Sequence, residues 1–266
     1  MPHEERPASQ ARPIRSLVIG HWSLVISLLT CSLPALAAQT PQEPVAGLMR
    51  MPAEGRPARD CWLYVPKTYD KSRSYPLVVV LHPAGLEGSR FVTIWGEVAE
   101  RTGAFLVAGP ECHDRKKRMW DFADEKDLLA TVRKVMGAFS VDPSRVLLTG
   151  FSQGGTYTYT FGLRNPGFFR AIAPVSGALV ARPSRETEAI LLNARGLGVY
   201  IAHGAADNQI AVERARASRE RLEKAGLTVT YHEVPTLGHF LPQGEPDRIW
   251  TWFHALTTPP KPGEKP

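Results

Sequence analysis

Three residues of this sequence, Ser152, Asp207 and His239, are of the types that together perform nucleophilic catalysis. A serine hydroxyl is a weak nucleophile near neutral pH. It needs an imidazole to take its proton, and that imidazole needs a carboxylate to fix its tautomer and stabilise its protonated form. Ser152 sits in Gly150-Phe151-Ser152-Gln153-Gly154, where small residues two positions to either side permit a tight strand-to-helix turn that lifts the hydroxyl clear of a sheet edge. With 22 glycines in 266 residues the five-residue pattern alone is weak, and its flanks decide. Residues 145–149 predict a short strand buried on both faces, and residues 156–164 a helix stopped by Asn165-Pro166. Downstream, residues 198–203 predict a second buried strand, with Asp207 on the loop leaving its carboxyl end. Residues 228–234 alternate as a third strand, and His239 lies on the loop that follows. Acid before base, each on a loop at the carboxyl end of a strand, is the order this chemistry takes on an open parallel sheet.

Other residues compete for these roles. His232 falls inside an alternating stretch and His254 inside the helical pattern of Ile249, Trp250, Trp252 and Phe253, and both read as structural; His203 ends a strand beside the acid loop and reads as shaping that loop rather than doing chemistry. Glu213 and Asp247 are the reserve acids. Acyl transfer also requires an oxyanion hole, one amide following the nucleophile and one from the loop after an earlier strand. Gln153 supplies the first. The most strand-like run, Tyr75–Leu81, ends in His82-Pro83-Ala84-Gly85, which makes Ala84 the second donor. His82, Trp120, Arg115 and Lys116 are candidate substrate-binding residues. Arg115-Lys116-Lys117-Arg118 is a basic cluster on the loop after the strand at 104–110, where it reads either as a solvated surface loop or as an attractor of anionic substrates. Trp120 just beyond it reads as a pocket wall or as core.

Such residues need a scaffold that brings several strand ends to one edge. Strand-like runs alternate with helical patterns at 91–101, 124–139 and 212–225, the signature of βα units and a mostly parallel central sheet flanked by helices in a single α/β domain. Residues 61–65 alternate faces as an antiparallel edge hairpin would. A chain of 266 residues with 43% hydrophobic content supports one sizeable core.

With these pieces in place, the sequence resembles the α/β-hydrolase superfamily, and within it the group of phospholipase/carboxylesterases, feruloyl esterases and poly(3-hydroxybutyrate) depolymerases. The resemblance spans roughly residues 59–256. It is carried by Cys61-Trp62-Leu63-Tyr64-Val65-Pro66 with Tyr69-Asp70, by Leu81-His82, by Val141-Asp142-Pro143-Ser144-Arg145-Val146 and by Gly150-Phe151-Ser152-Gln153-Gly154-Gly155. His203-Gly204 with Asp207, and Gly238-His239, complete it. It implies an α/β-hydrolase fold and places the nucleophile, acid and base on Ser152, Asp207 and His239. One departure is Pro83, where relatives usually carry glycine: proline has no amide hydrogen, so the donor falls to Ala84.

The first 38 residues have the charged, apolar and small-residue regions of a secretory signal peptide ending near Ala38. Residues 39–57 read as a flexible leader, 58–258 as the α/β-hydrolase domain and 259–266 as a disordered tail. A retained membrane anchor is the alternative reading of the amino terminus. The formal net charge of +6 is modest, and no nucleic-acid motif accompanies it. Cys61 and Cys112 remain after the leader, and export would permit a disulfide between them. There is no metal-ligand spacing, phosphate-cradling loop or dinucleotide fingerprint, so cofactor-free and metal-free chemistry is expected. The expectation is a secreted or periplasmic serine hydrolase that cleaves a small-molecule or polysaccharide-linked carboxylic ester through an acyl-enzyme. No stable membrane partner is expected after cleavage of the leader. Feruloyl, acetyl, short polyester and simple acyl esters remain open. The alternatives are a serine peptidase of prolyl-oligopeptidase type and a carbohydrate-binding relative that has lost its chemistry.

Overall fold

A continuous apolar run is satisfied only between two layers, and residues 75–81 are buried at every position in the computed structural model, which describes residues 46–52, 60–114, 116–180 and 182–258. The strands are β1 (Gly47–Met51), β2 (Cys61–Val65), β3 (Tyr75–Leu81), β4 (Leu106–Pro110), β5 (Val141–Phe151), β6 (Ala171–Val175), β7 (Gly198–Gly204) and β8 (Val229–Val234). The helices are α1 (Gly88–Thr102), α2 (Asp124–Ala138), α3 (Gln153–Arg164), α4 (Arg185–Asn193), α5 (Val212–Lys224) and α6 (Glu245–Thr257). Together they form a single domain with the α/β-hydrolase fold. The expected signal peptide at 1–38, most of the leader at 39–57, the tail at 259–266 and Arg115 lie outside the described residues.

The eight strands make one sheet in the order β1-β2-β4-β3-β5-β6-β7-β8. From β4 to β8 all pairs are parallel, whereas β1, β2 and β4 pair antiparallel at one edge. Alternate residues of β3 feed two separate cores. Leu77, Val79 and Leu81 join the layer containing Val132 of α2, Tyr159 of α3, Leu191 of α4 and Leu222 of α5. Val78 and Val80 face Trp95 of α1 and Phe253 of α6. Helices thus cover both faces, as parallel strands joined by crossovers require.

One element differs from the sequence reading. Gly47–Met51, assigned to the leader, is the edge strand β1: Met49 and Met51 pack inward while Leu48 and Arg50 face out, and Arg50 forms an ion pair with Asp60. The alternation is present but carries no β-branched or aromatic residue, so its composition gives no strand signal. With β1 outside it, β2 at residues 61–65 forms the antiparallel pair expected at this edge, as its inner strand next to β4.

Candidate active site

Leu81 of β3 pairs with Gly150 of β5, so the loop after each strand opens at the same edge of the sheet. Ser152 occupies the turn between β5 and α3 with φ 58° and ψ −118°, a conformation L residues rarely adopt, and its amide donates to Val175 O. The turn is tight enough to exclude side chains at its small positions. A Cβ on Gly154 would lie 2.2 Å from Leu81 O and 2.7 Å from His82 O, so α3 begins in direct backbone contact with the end of β3.

The loops after β7 and β8 bring the other two residues to Ser152. His239 Nε2 lies 2.8 Å from Ser152 Oγ, and His239 Nδ1 lies 2.7 Å from Asp207 Oδ2. Because an ionised carboxylate only accepts, Nδ1 carries the proton and Nε2 is free to accept from the hydroxyl. The Phe151 ring, 5.1 Å from the imidazole, backs it on one side. Asp207 Oδ1 accepts the amides of Gln209 and Ile210, both at 2.9 Å. Burial raises the carboxyl's pKa, but these amides and His239 outweigh that penalty and hold it below the usual carboxylate range. Asp207 therefore stays ionised beside the imidazole.

The rival residues are engaged elsewhere. His232 Nδ1 lies 2.9 Å from the buried Glu245, which also accepts from Tyr200. His254 stacks on Trp250 and contacts Arg145. Glu213 and Asp247 are ion-paired with Arg216 and Arg101.

On the oxyanion side, Gly85 N donates to Arg118 O and Leu86 N to Pro83 O, while the preceding residue, Ala84, is exposed at the turn. Gln153 holds the first helical position after the nucleophile, and its side-chain Oε1 accepts from Trp120 N at 3.0 Å, tying the loop after β4 to the elbow. His82 and Trp120, expected as substrate contacts, are internal: Trp120 Nε1 donates to His82 O at 2.8 Å, and the two rings lie 4.8 Å apart. An indole N–H needs an acceptor when buried, and Trp120 finds it in the turn carrying Ala84. Burial pushes the His82 imidazole pKa down, and its Nδ1–H donates to Pro83 O.

Lys116 and Lys117 are exposed on a turn whose amides donate to Asp114 Oδ1, and Arg118 pairs with Glu87 at 2.7 Å. Since Arg118 O holds Gly85 N, the basic loop rests on the oxyanion-side turn. Apolar side chains that sequence reasoning missed stand on the same edge. Phe122 is 65% and Phe240 68% exposed, with Met119 and Val180 also exposed, on the loops after β4, β8 and β6. Phe240 directly follows His239, which was the available signal. Cys61 and Cys112 are free and buried, and burial pushes the Cys112 thiol up to about 12. Among the described residues, no helix is long and apolar enough to cross a membrane.

Fold and site together define an α/β-hydrolase with serine, histidine and aspartate in one hydrogen-bonded chain. Residues 114–256 match the phospholipase/carboxylesterase family, and the chain belongs to it. A probable carboxylesterase of Oryza sativa subsp. japonica is 28% identical over 157 residues, 57% of this chain and 59% of the rice protein. Feruloyl esterase D of Neurospora crassa is 23% identical over 219 residues, 73% of this chain and 71% of that protein. The crystal structure of esterase PE8 superposes with a TM-score of 0.60 at 20% identity, over 80% of this chain and 100% of that one. The chain thus spans less than two thirds of the rice relative's length.

Proposed function

We propose that this protein is an exported carboxylic ester hydrolase acting through an acyl-enzyme, with Ser152 as nucleophile, His239 as base and acid, and Asp207 as the residue that orients and stabilises the imidazolium. In the first half-reaction His239 Nε2 takes the Ser152 proton while Oγ adds to the ester carbonyl. The amides of Gln153 and Ala84 hold the resulting oxyanion. Collapse breaks the ester C–O bond, and the leaving alcohol receives the proton from His239. In the second, His239 deprotonates a water that attacks the acyl-serine, and returning the proton to Oγ frees the carboxylic acid.

The observation that carries this reading is the pair of short contacts at His239, 2.8 Å to Ser152 Oγ and 2.7 Å to Asp207 Oδ2. Family membership and the esterases among the relatives support ester substrates in particular. Exposed Phe240 beside His239, with Phe122, Met119 and Val180 exposed on other loops, favours an ester with an apolar acyl or aryl group, and exposed Lys116 and Lys117 favour one that carries negative charge nearby. Export rests on the sequence of residues 1–38.

The test is a substrate panel on the protein without its first 38 residues: p-nitrophenyl acyl esters, methyl ferulate, acetylated xylan and a chromogenic peptide, with fluorophosphonate labelling in parallel. Ester turnover and labelling are expected, both lost in Ser152→Ala with a fall in kcat of roughly 10⁴- to 10⁶-fold. Peptide cleavage without ester cleavage would make the protein a peptidase. Absence of labelling and of all turnover would leave a binding protein.

A further inference from the structure

The triad accounts for Ser152, His239 and Asp207 but leaves a second buried histidine touching the same carboxylate. His203, the penultimate residue of β7, has a fully buried side chain. Its Nε2 lies 2.7 Å from Ile210 O and 3.3 Å from Asp207 Oδ2. A carbonyl oxygen only accepts, so Nε2 carries the proton and the ring is pinned by that donation. Nδ1 is buried with no hydrogen-bond partner, so the other nitrogen is not what holds the ring in place.

The connectivity gives this bond leverage over the acid. The segment from Asp207 to Ile210 is a turn in which Asp207 Oδ1 accepts the amides of Gln209 and Ile210. Ile210 is therefore gripped at both of its backbone groups: its N–H by the carboxylate and its C=O by His203. Beyond Asp207, whose own amide donates to Gly204 O at 3.2 Å, the loop runs without a strand ladder until α5 begins at Val212, so side-chain bonds shape its second half. Its neighbours on the other side are the loop of His239, through Ala206 N to Leu237 O at 2.9 Å, and β8, through Ala205 N to Val234 O at 2.9 Å. Freeing the Ile210 carbonyl would let the turn rotate and carry Oδ2 away from His239 Nδ1.

We propose that His203 is a positioning residue for the reaction: by clamping Ile210 O from the end of β7 it holds the acid turn in the one arrangement that presents Asp207 Oδ2 to His239. The inference rests on the triad reading above. His203 touches neither substrate nor the reacting atoms. Besides Asp207 and His239, the ionisable groups around it are Glu233, its register neighbour on β8, with the Tyr231 hydroxyl and the Arg216 guanidinium of α5 that Glu233 engages. Glu233, Tyr231 and Arg216 are satisfied by one another and do not substitute for the Ile210 clamp.

The experiment compares the full chain with His203→Phe, which keeps a planar ring and removes the donor, and His203→Gln, whose amide N–H can reach the same carbonyl. His203→Leu replaces the phenylalanine variant if that ring is not accommodated. Two readouts are taken on folded protein: kcat and KM against pH with the best ester of the panel, and the low-field proton NMR resonance of the His239 Nδ1–H bonded to Asp207. The second needs no substrate, so it tests the clamp even if the proposed esterase activity fails.

The phenylalanine or leucine variant should lose about 10- to 100-fold in kcat with KM within twofold, as expected for a misplaced group outside the binding site. The acidic limb of its kcat/KM profile should move to lower pH, because an imidazolium without its held carboxylate is less stable. Its low-field resonance should be lost. His203→Gln should restore kcat to within about threefold and bring the resonance back, which a purely packing role for the ring would not do. A wild-type kcat, limb and resonance in the folded donor-free variant would overturn the clamp, as would a wild type with no such resonance. If Ser152 is labelled and esters turn over while those variants are unaffected, the clamp alone is wrong and the triad reading stands.

Discussion

Replacing Gly154 with alanine adds a single methyl group at the junction where the elbow meets the oxyanion-side strand. The new Cβ would sit 2.2 Å from Leu81 O, 2.7 Å from His82 O and 2.8 Å from Leu81 C. All three are backbone atoms of β3 or of the residue after it, so no side-chain rotation relieves the overlap. Ordinary van der Waals separation requires roughly 1 Å of relative movement between α3 and the end of β3. A core overpacked in this way loses about 1 to 3 kcal/mol. Because Gln153 precedes Gly154 and Ala84 lies two residues past His82, the same movement separates the two amides proposed to hold the oxyanion. Losing one such donor costs about 10²- to 10³-fold in kcat. The assay is kcat on a p-nitrophenyl ester beside thermal unfolding, with Gly137→Ala as control. Gly137 lies in α2, and a Cβ there would meet nothing within 4 Å. That change should leave kcat alone and stabilise by up to about 1 kcal/mol. A folded Gly154→Ala protein with kcat within threefold of wild type would refute both the contact argument and the placement of the oxyanion donors.

Asp207→Asn should lower kcat by about 10²- to 10⁴-fold by reversing the hydrogen bond that sets the His239 tautomer, whereas Glu213→Gln and Asp247→Asn, ion-paired elsewhere, should leave it within twofold. Steady-state kinetics on the three variants ranks them. Because the folded Asp207 carboxyl lies below its usual range, its contribution to stability is complete above about pH 4 and is lost as pH falls through the folded value. Chemical denaturation should therefore show the gap between wild type and Asp207→Asn narrowing on acidification below about pH 4. Lys116→Gln with Lys117→Gln should raise KM several-fold for a carboxylate-bearing ester and leave a neutral short-chain ester unchanged, with the difference gone at high salt, since fields from exposed charges are screened over about 8 to 10 Å. Equal effects on both esters would return the pair to an ordinary solvated loop. Asp124→Asn should loosen the loop that carries Trp120 and Phe122, because both carboxylate oxygens accept amides, from His113 at 2.6 Å and Asp121 at 2.8 Å, and an amide side chain can replace only one. Raised KM with a loss of about 1 to 3 kcal/mol in stability is expected, read from kinetics and urea melts.

The parts of this molecule that were legible in the sequence are those whose information is local. Tyr75–Leu81 reads as a buried strand because every residue in it is apolar enough to be one, and the elbow reads as an elbow because strand, glycine, serine, glycine and helix follow in nine or so positions. Asp207 and His239 were singled out by their places after strands, and the structure sets His239 within hydrogen-bond reach of both Asp207 and Ser152, across separations of 32 and 87 residues. What was not legible depends on partners distant in the chain. β1 lacks the composition of a strand and exists because β2 offers it a ladder. Trp120, beside a basic run, reads equally as a pocket wall or as core. Only the structure reveals that its indole hydrogen goes to His82 O and its amide to Gln153 Oε1.

The same distinction explains two histidines that composition alone could not place. His82 follows the last residue of β3 and His203 is the penultimate residue of β7; both are fully buried, and each donates one ring N–H to a carbonyl of the loop that comes next, Pro83 O and Ile210 O. Those two loops carry Ala84 and Asp207. A strand ladder fixes the backbone only up to the strand's end, and the proposed chemistry needs atoms two to four residues beyond it held to within a fraction of an ångström. A buried imidazole at the strand terminus extends the rigid part of the sheet by that distance: the ring is packed in the core, so the carbonyl it binds inherits the core's order. On this argument the sheet positions Ser152 through backbone contacts, at Gly154 and Val175 O, and positions its partners through side chains. The elbow should therefore tolerate no added methyl, while the acid turn should tolerate any residue at 203 that keeps a donor in the place of Nε2.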